Sequence, residues 1–71
     1  MKILTRESAI DTIKQIELIK WDDEAAHYME DELREDFIHT CSLWLYSREE
    51  TVYIANIVLE SNNIEFERWC A

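Results

Sequence analysis

The sequence predicts an all-α protein: a compact three-helix domain with a short C-terminal tail packed on it. Three observations carry that prediction. The 71 residues contain neither Gly nor Pro, so hairpin turns that need positive φ have no ready residue. The prevalence of Glu, Ile, Leu, Lys and Ala favours helices joined by short polar turns. Cap signals at Thr5, at Asp22 or Asp23, and at Ser47 each stand directly before a segment with helical apolar spacing. Residues 1–71 therefore read as one domain, with helices over about 6–20, 23–46 and 48–60 and a tail over 61–71.

The first helix opens at Thr5, whose side-chain oxygen suits an N-cap, with Leu4 one residue earlier as a hydrophobic staple. Ala9, Ile10, Ile13, Ile16 and Leu18 or Ile19 supply an apolar face, and Asp11, Lys14, Gln15 and Glu17 lie outside it. Trp21 closes the segment as a lid on the core.

The second helix with its cap, Asp22 to Tyr46, is the longest uninterrupted run, and it carries half of the acidic residues. Ala26, Met29, Leu33, Phe37, Thr40, Cys41 and Trp44 form one stripe at i, i+3/i+4, i+7 spacing, the pattern of a face turned to a core. Beside it His27, Asp31, Arg34, Ile38 and Leu45 make a flank that is polar first and apolar later. On a helix surface His27 reaches Asp31, and Asp31 reaches Arg34.

Ser47-Arg48-Glu49-Glu50 has the capping-box pattern and separates the second helix from the third. Val52, Tyr53, Ile54, Ala55, Ile57, Val58 and Leu59 then cover most of a helical circumference, which predicts burial on more than one side and hence a second subunit. A homodimer through Ile38, Leu45, Tyr53 and Ile57 is the expectation. Ser61-Asn62-Asn63 ends this helix, with Asn in the left-handed conformation that closes helices. Ile64, Phe66 and Trp69 are expected to fold back over the core or to lie in a neighbour's groove.

A formal net charge of −9 argues against direct binding to a phosphate backbone, where Lys and Arg replace counterions. It permits binding to a protein that itself handles nucleic acid. The surface expected to face that partner is Glu24, Asp31, Glu32 and Glu35. No apolar run of signal-peptide type opens the chain and none approaches the roughly 20 residues that span a bilayer, so an intracellular protein without membrane contact is expected. Cys41 and Cys70 lack metal-type spacing and read as free thiols, Cys41 within the core.

Glu24-Ala25-Ala26-His27 is a Glu-x-x-His pair, the spacing by which helices of carboxylate-bridged di-metal bundles present ligands inward. With Asp31 one turn on, Glu24 and His27 define an alternative reading as a metal-binding protein or metal-dependent enzyme. Further ligands would have to come from Glu7, Asp11 or Glu17, or from a second copy. Glu32 and Glu35 are similar to the paired carboxylates of all-helical nucleotide pyrophosphatases, a pattern that arises readily in so acidic a helix. For nucleophilic catalysis His39 lies away from Cys41, and no Gly-rich turn offers an oxyanion hole. No cofactor is implied.

Three stretches together carry a family resemblance: Thr5-Arg6-Glu7-Ser8-Ala9-Ile10, then Asp23 to Leu33 followed by Phe37-Ile38, and the ending Ile64 to Ala71. The chain resembles small uncharacterised bacteriophage proteins that have an Ala-His-x-x-Glu-Asp-x-Leu segment and end in Arg-Trp-Cys-Ala or Lys-Trp-Tyr-Ala. Glu67 stands here where a Pro before Arg68 would be expected. The resemblance implies a phage origin and a host cytoplasm, without a mechanism. The function expected is that of a small acidic, non-enzymatic phage accessory protein that binds and modulates a host or phage protein. The metal-dependent reading and a virion or assembly component are the alternatives.

Overall fold

In the computed structural model residues 2–66 are described, and three helices account for most of them: α1 (Arg6–Ile19), α2 (Asp23–Ser42) and α3 (Arg48–Glu60). A single 3₁₀ turn, Ser61–Asn63, follows. No strand occurs among the described residues, so the all-α three-helix architecture is what the chain adopts. Glu67, Arg68, Trp69 and Cys70, and with them the expected packing of Trp69 and the state of the Cys70 thiol, lie outside the described residues.

Each helix begins where a short side chain answers its unpaired amides. Thr5 and Ser8 form a reciprocal box, Thr5 accepting from the Ser8 amide and Ser8 from the Thr5 amide. Asp22 accepts from the Ala25 amide, and Ser47 from the Glu50 amide. The helices run antiparallel in sequence order, because Lys20–Asp22 and Leu43–Ser47 are short connections.

The core is small and lies on the common axis: Leu4, Ala9, Ile16, Ala26, Leu33, Ile54, Val58 and Ile64, with Ile13, Ile19, Met29, Phe37, Tyr46, Ile57 and Phe66 packed around it. Ile64 and Phe66 thus place the start of the tail on the core, as expected. Ile19 rather than Leu18 turns inward, and Leu18 is exposed.

Several expectations are overturned. Helix α2 stops at Ser42, not Tyr46, because Trp44 adopts φ 57°, the one positive value among the described residues. That rotation carries the indole off the core stripe, and Trp44 is 92% exposed. Cys41, one residue before the helix ends, is half-buried rather than in the core. Trp21 is no lid; it stands 80% exposed at the α1–α2 corner. Asn62 and Asn63 are not left-handed but belong to the 3₁₀ turn, which continues the α3 path into the tail. The expectation that α3 is buried on more than one side concerns a second subunit and stands apart from these: within the single chain Ile54 and Val58 are fully buried, while Val52, Tyr53 and Leu59 are exposed.

The segment before α1 lies along the C-terminal half of α2. The Lys2 amide donates to Asp36 Oδ1 at 2.9 Å, the Leu4 amide to Thr40 Oγ1 at 2.9 Å, and the Tyr46 hydroxyl to the Leu4 carbonyl at 2.6 Å. Thr40 Oγ1 in turn donates to the Asp36 carbonyl at 2.8 Å. Thr40 is therefore inside for its hydroxyl: it gives a buried strap amide an acceptor that no helix supplies.

Candidate functional site

Eight carboxylates lie between Asp22 and Asp36, and the fold sorts them. Asp22 caps α2, Asp23 is half-buried as its first residue, Asp36 is taken by the Lys2 amide, and Glu30 turns into the core at 1% exposure. Glu24, Asp31, Glu32 and Glu35 are left on the outer face, opposite the buried Ala26, Leu33 and Thr40. Their i, i+7, i+8, i+11 spacing puts them in one stripe, and the four residues singled out from the sequence are therefore all exposed together.

Tyr28 joins this stripe one turn after Glu24. Its hydroxyl hydrogen-bonds the Glu32 carboxylate, and that bond, together with the charge of Glu32, raises the phenol above its ordinary pKa of 10.0. The Tyr28 side chain therefore stays a donor and gives the anionic face one aromatic, hydrogen-bonding member. Sequence reasoning passed over it, although the i, i+4 Tyr-to-Glu spacing was visible. At the far end Glu32, Glu35 and Asp36 line a small cleft of about 130 Å³ with Lys2.

The polar flank is rearranged from the expectation. His27 Nδ1 lies 3.5 Å from Asp31 Oδ2, as the spacing predicts. Arg34, however, does not turn to Asp31. Its Nη1 is 3.5 Å from Oε1 of the buried Glu30, and its Nη2 donates to Asn62 Oδ1 at 2.6 Å. This pairing explains how a carboxylate is held inside so small a core. It also ties α2 to the 3₁₀ turn after α3. The signal was the Glu30-to-Arg34 i, i+4 spacing, which the crowd of exposed acids concealed.

Among the described residues no group of three or more His, Cys, Asp or Glu side chains is disposed to hold a metal ion. Glu24 is exposed and His27 is engaged with Asp31, so the fold does not gather the Glu24, His27 and Asp31 of the metal reading into one site. Cys41 is a free thiol.

The four residues expected at a dimer interface separate. Ile38 and Leu45 are exposed, Ile38 on the side of α2 that meets Ala55, Val58 and Leu59 of α3. Tyr53 lies beneath the Arg6 guanidinium, 4.3 Å from its ring centre, and Ile57 packs on the core. Tyr53 thus faces α1 and Ile57 the core, rather than sharing a surface with Ile38.

No helix among the described residues is long and apolar enough to cross a membrane. Comparison of the chain with protein-family models, with curated proteins and with solved structures gave no significant match.

Proposed function

We propose that this chain is a non-enzymatic accessory protein, of the bacteriophage origin its sequence resemblance implies, that binds and modulates a protein of the host cytoplasm or of the phage. The contact surface is the α2 stripe of Glu24, Asp31, Glu32 and Glu35 with Tyr28 among them. In this reading the protein acts as a homodimer.

The observation that carries the reading is the charge density of that helix. Between Asp22 and Asp36 eight carboxylates stand against one guanidinium over 15 residues. At 1.5 Å per residue that is roughly one net negative charge per 3 Å of axis, close to the 3.4 Å per phosphate of one DNA strand. A basic groove that tracks a nucleic-acid backbone finds comparable charge here, on a rigid rod. Like charges this close repel one another and weaken the helix, a cost that a cationic partner removes.

The test is affinity capture from bacterial lysate with the intact chain and with the variant Glu24→Gln, Asp31→Asn, Glu32→Gln, Glu35→Gln, helix content being matched by circular dichroism. The expected result is a protein partner retained by the native chain, released by moderate salt and lost with the variant. Equal capture by both would overturn the stripe, and turnover of a nucleotide by the purified protein would overturn the non-enzymatic reading.

A further inference from the structure

The face of the α2–α3 pair turned away from α1 is an acid-free groove. Near Arg34, an apolar cleft of about 330 Å³ is lined by Phe37, Ile38, Ala55, Val58 and Leu59. Near the α2–α3 connection a second, of about 450 Å³, is lined by Cys41, Trp44, Tyr46, Arg48, Thr51 and Val52. Ile38 and Cys41 are one turn apart on α2, as are Ala55 and Val52 on α3, so the two clefts are halves of one groove. The other side of the pair is taken by α1, whose Arg6 lies over Tyr53.

We propose that this groove is occupied by a second copy of the chain, with the Trp44 indole of each copy seated in the Phe37–Ala55–Leu59 cleft of the other. The assignment deepens the dimeric reading above and is independent of what the acidic stripe binds.

Charge selects the occupant. A chain of net charge −9 approaches itself against strong repulsion almost everywhere, since α2 carries acids on its outer face and Glu49, Glu50 and Glu60 mark the ends of α3. Among the described residues the groove lining contains no carboxylate; its two charged residues are Arg34 and Arg48, and Arg34 is already matched by Glu30 and Asn62. Two copies meeting there keep Glu24, Glu32 and Glu35 on the outside and leave Asp31 at the rim, on the flank it shares with Ile38.

Area and shape agree. Ile38, Trp44, Val52 and Leu59 are exposed and line this face. Trp44 alone presents about 200 Å². A stable interface takes about 800 Å² from each partner, and one exposed indole is a large share of that. A two-fold contact must be self-complementary, and this face has both parts: a protruding indole fixed by the left-handed backbone at Trp44, and a cleft floored by the small Ala55.

The test is sedimentation equilibrium and native mass spectrometry of the full chain, native and with Ile38→Glu or Leu59→Glu, beside Leu18→Glu on the exposed face of α1. All three replace exposed side chains, so helix content should hold. We expect a native dimer, about tenfold or more weaker in both groove variants and unchanged in Leu18→Glu. A native chain that stays monomeric at high micromolar concentration overturns the proposal, even if the groove then takes a different protein. A dimer that survives both groove substitutions overturns the surface while leaving dimerisation standing. Neither outcome bears on capture through the acidic stripe.

Discussion

The hydroxyl of Tyr46, in the connection after α2, donates to the carbonyl of Leu4, just before α1, at 2.6 Å. Burial is the main cause that raises the Tyr46 phenol above its ordinary value of 10.0; nearby Cys41, Glu50 and Asp36 add to it, and a hydrogen bond with Thr40 works the other way. The folded state therefore keeps this proton where the unfolded chain has begun to lose it. The stabilisation is complete below pH 10 and is lost as pH rises from there through the folded value. Tyr46→Phe should cost about 1 kcal/mol at neutral pH, through the lost hydrogen bond. It should also show a shallower alkaline loss of stability than the native chain, read from urea unfolding across pH 8–11.

Thr40→Val keeps the shape and deletes the hydroxyl's hydrogen bonds with the Leu4 amide and the Asp36 carbonyl. The Leu4 amide is left inside without its acceptor, and leaving a buried donor unsatisfied costs roughly 1–3 kcal/mol. The midpoint of thermal unfolding should fall by several degrees for each kcal/mol in a domain of this size. A change within experimental error would show that the strap amide finds water instead.

Trp44 occupies the left-handed position that helix C-termini normally give to Gly, and the chain has no Gly to place there. A non-Gly residue pays roughly 1–2 kcal/mol for that conformation. Trp44→Gly should therefore stabilise the monomer slightly, by up to about 1 kcal/mol after the added freedom of the unfolded chain is counted. The same variant should weaken self-association. Opposite signs in the two measurements separate a residue kept for an interface from one kept for the fold.

The acidic stripe should be worth negative stability. Neutralising Glu32 and Glu35 to Gln should stabilise the isolated protein by a few tenths of a kcal/mol at low salt. The gain should vanish at high salt, where screening already relieves the native chain. Thermal melts at two ionic strengths test this, and a native chain indifferent to salt would contradict it.

Much of the fold was legible because its signals are local. Thr5, Asp22 and Ser47 mark helix starts by side chains that satisfy amides two or three residues away, and Ala26, Leu33 and Ile54 mark inner faces by period alone. The exposed set Glu24, Asp31, Glu32 and Glu35 could be read for the same reason. The misreadings share a different cause. Trp44 and Trp21 are large and apolar, so composition places them inside, yet a positive φ at one and a corner at the other turn them out. Glu30 is the reverse, a carboxylate drawn inward because Arg34 and the distant Asn62 meet over it. Nothing within one helical turn announces Asn62, or the use of Thr40 as acceptor for Leu4, because both depend on residues roughly 30 positions away.

The strap formed by Lys2 to Leu4 has a kinetic consequence. Its anchors join residues 34, 36 and 42 positions apart, whereas the caps and helical turns close over three or four. Contacts of long sequence separation are costly to close early, so docking of this segment is expected late on the folding path, after the α2–α3 hairpin has formed. Loss of an anchor, as in Thr40→Val, should then accelerate unfolding while leaving the refolding arm of the chevron nearly unchanged. The lifetime of the native state, more than the speed of reaching it, is set by how firmly the first few residues are held against α2.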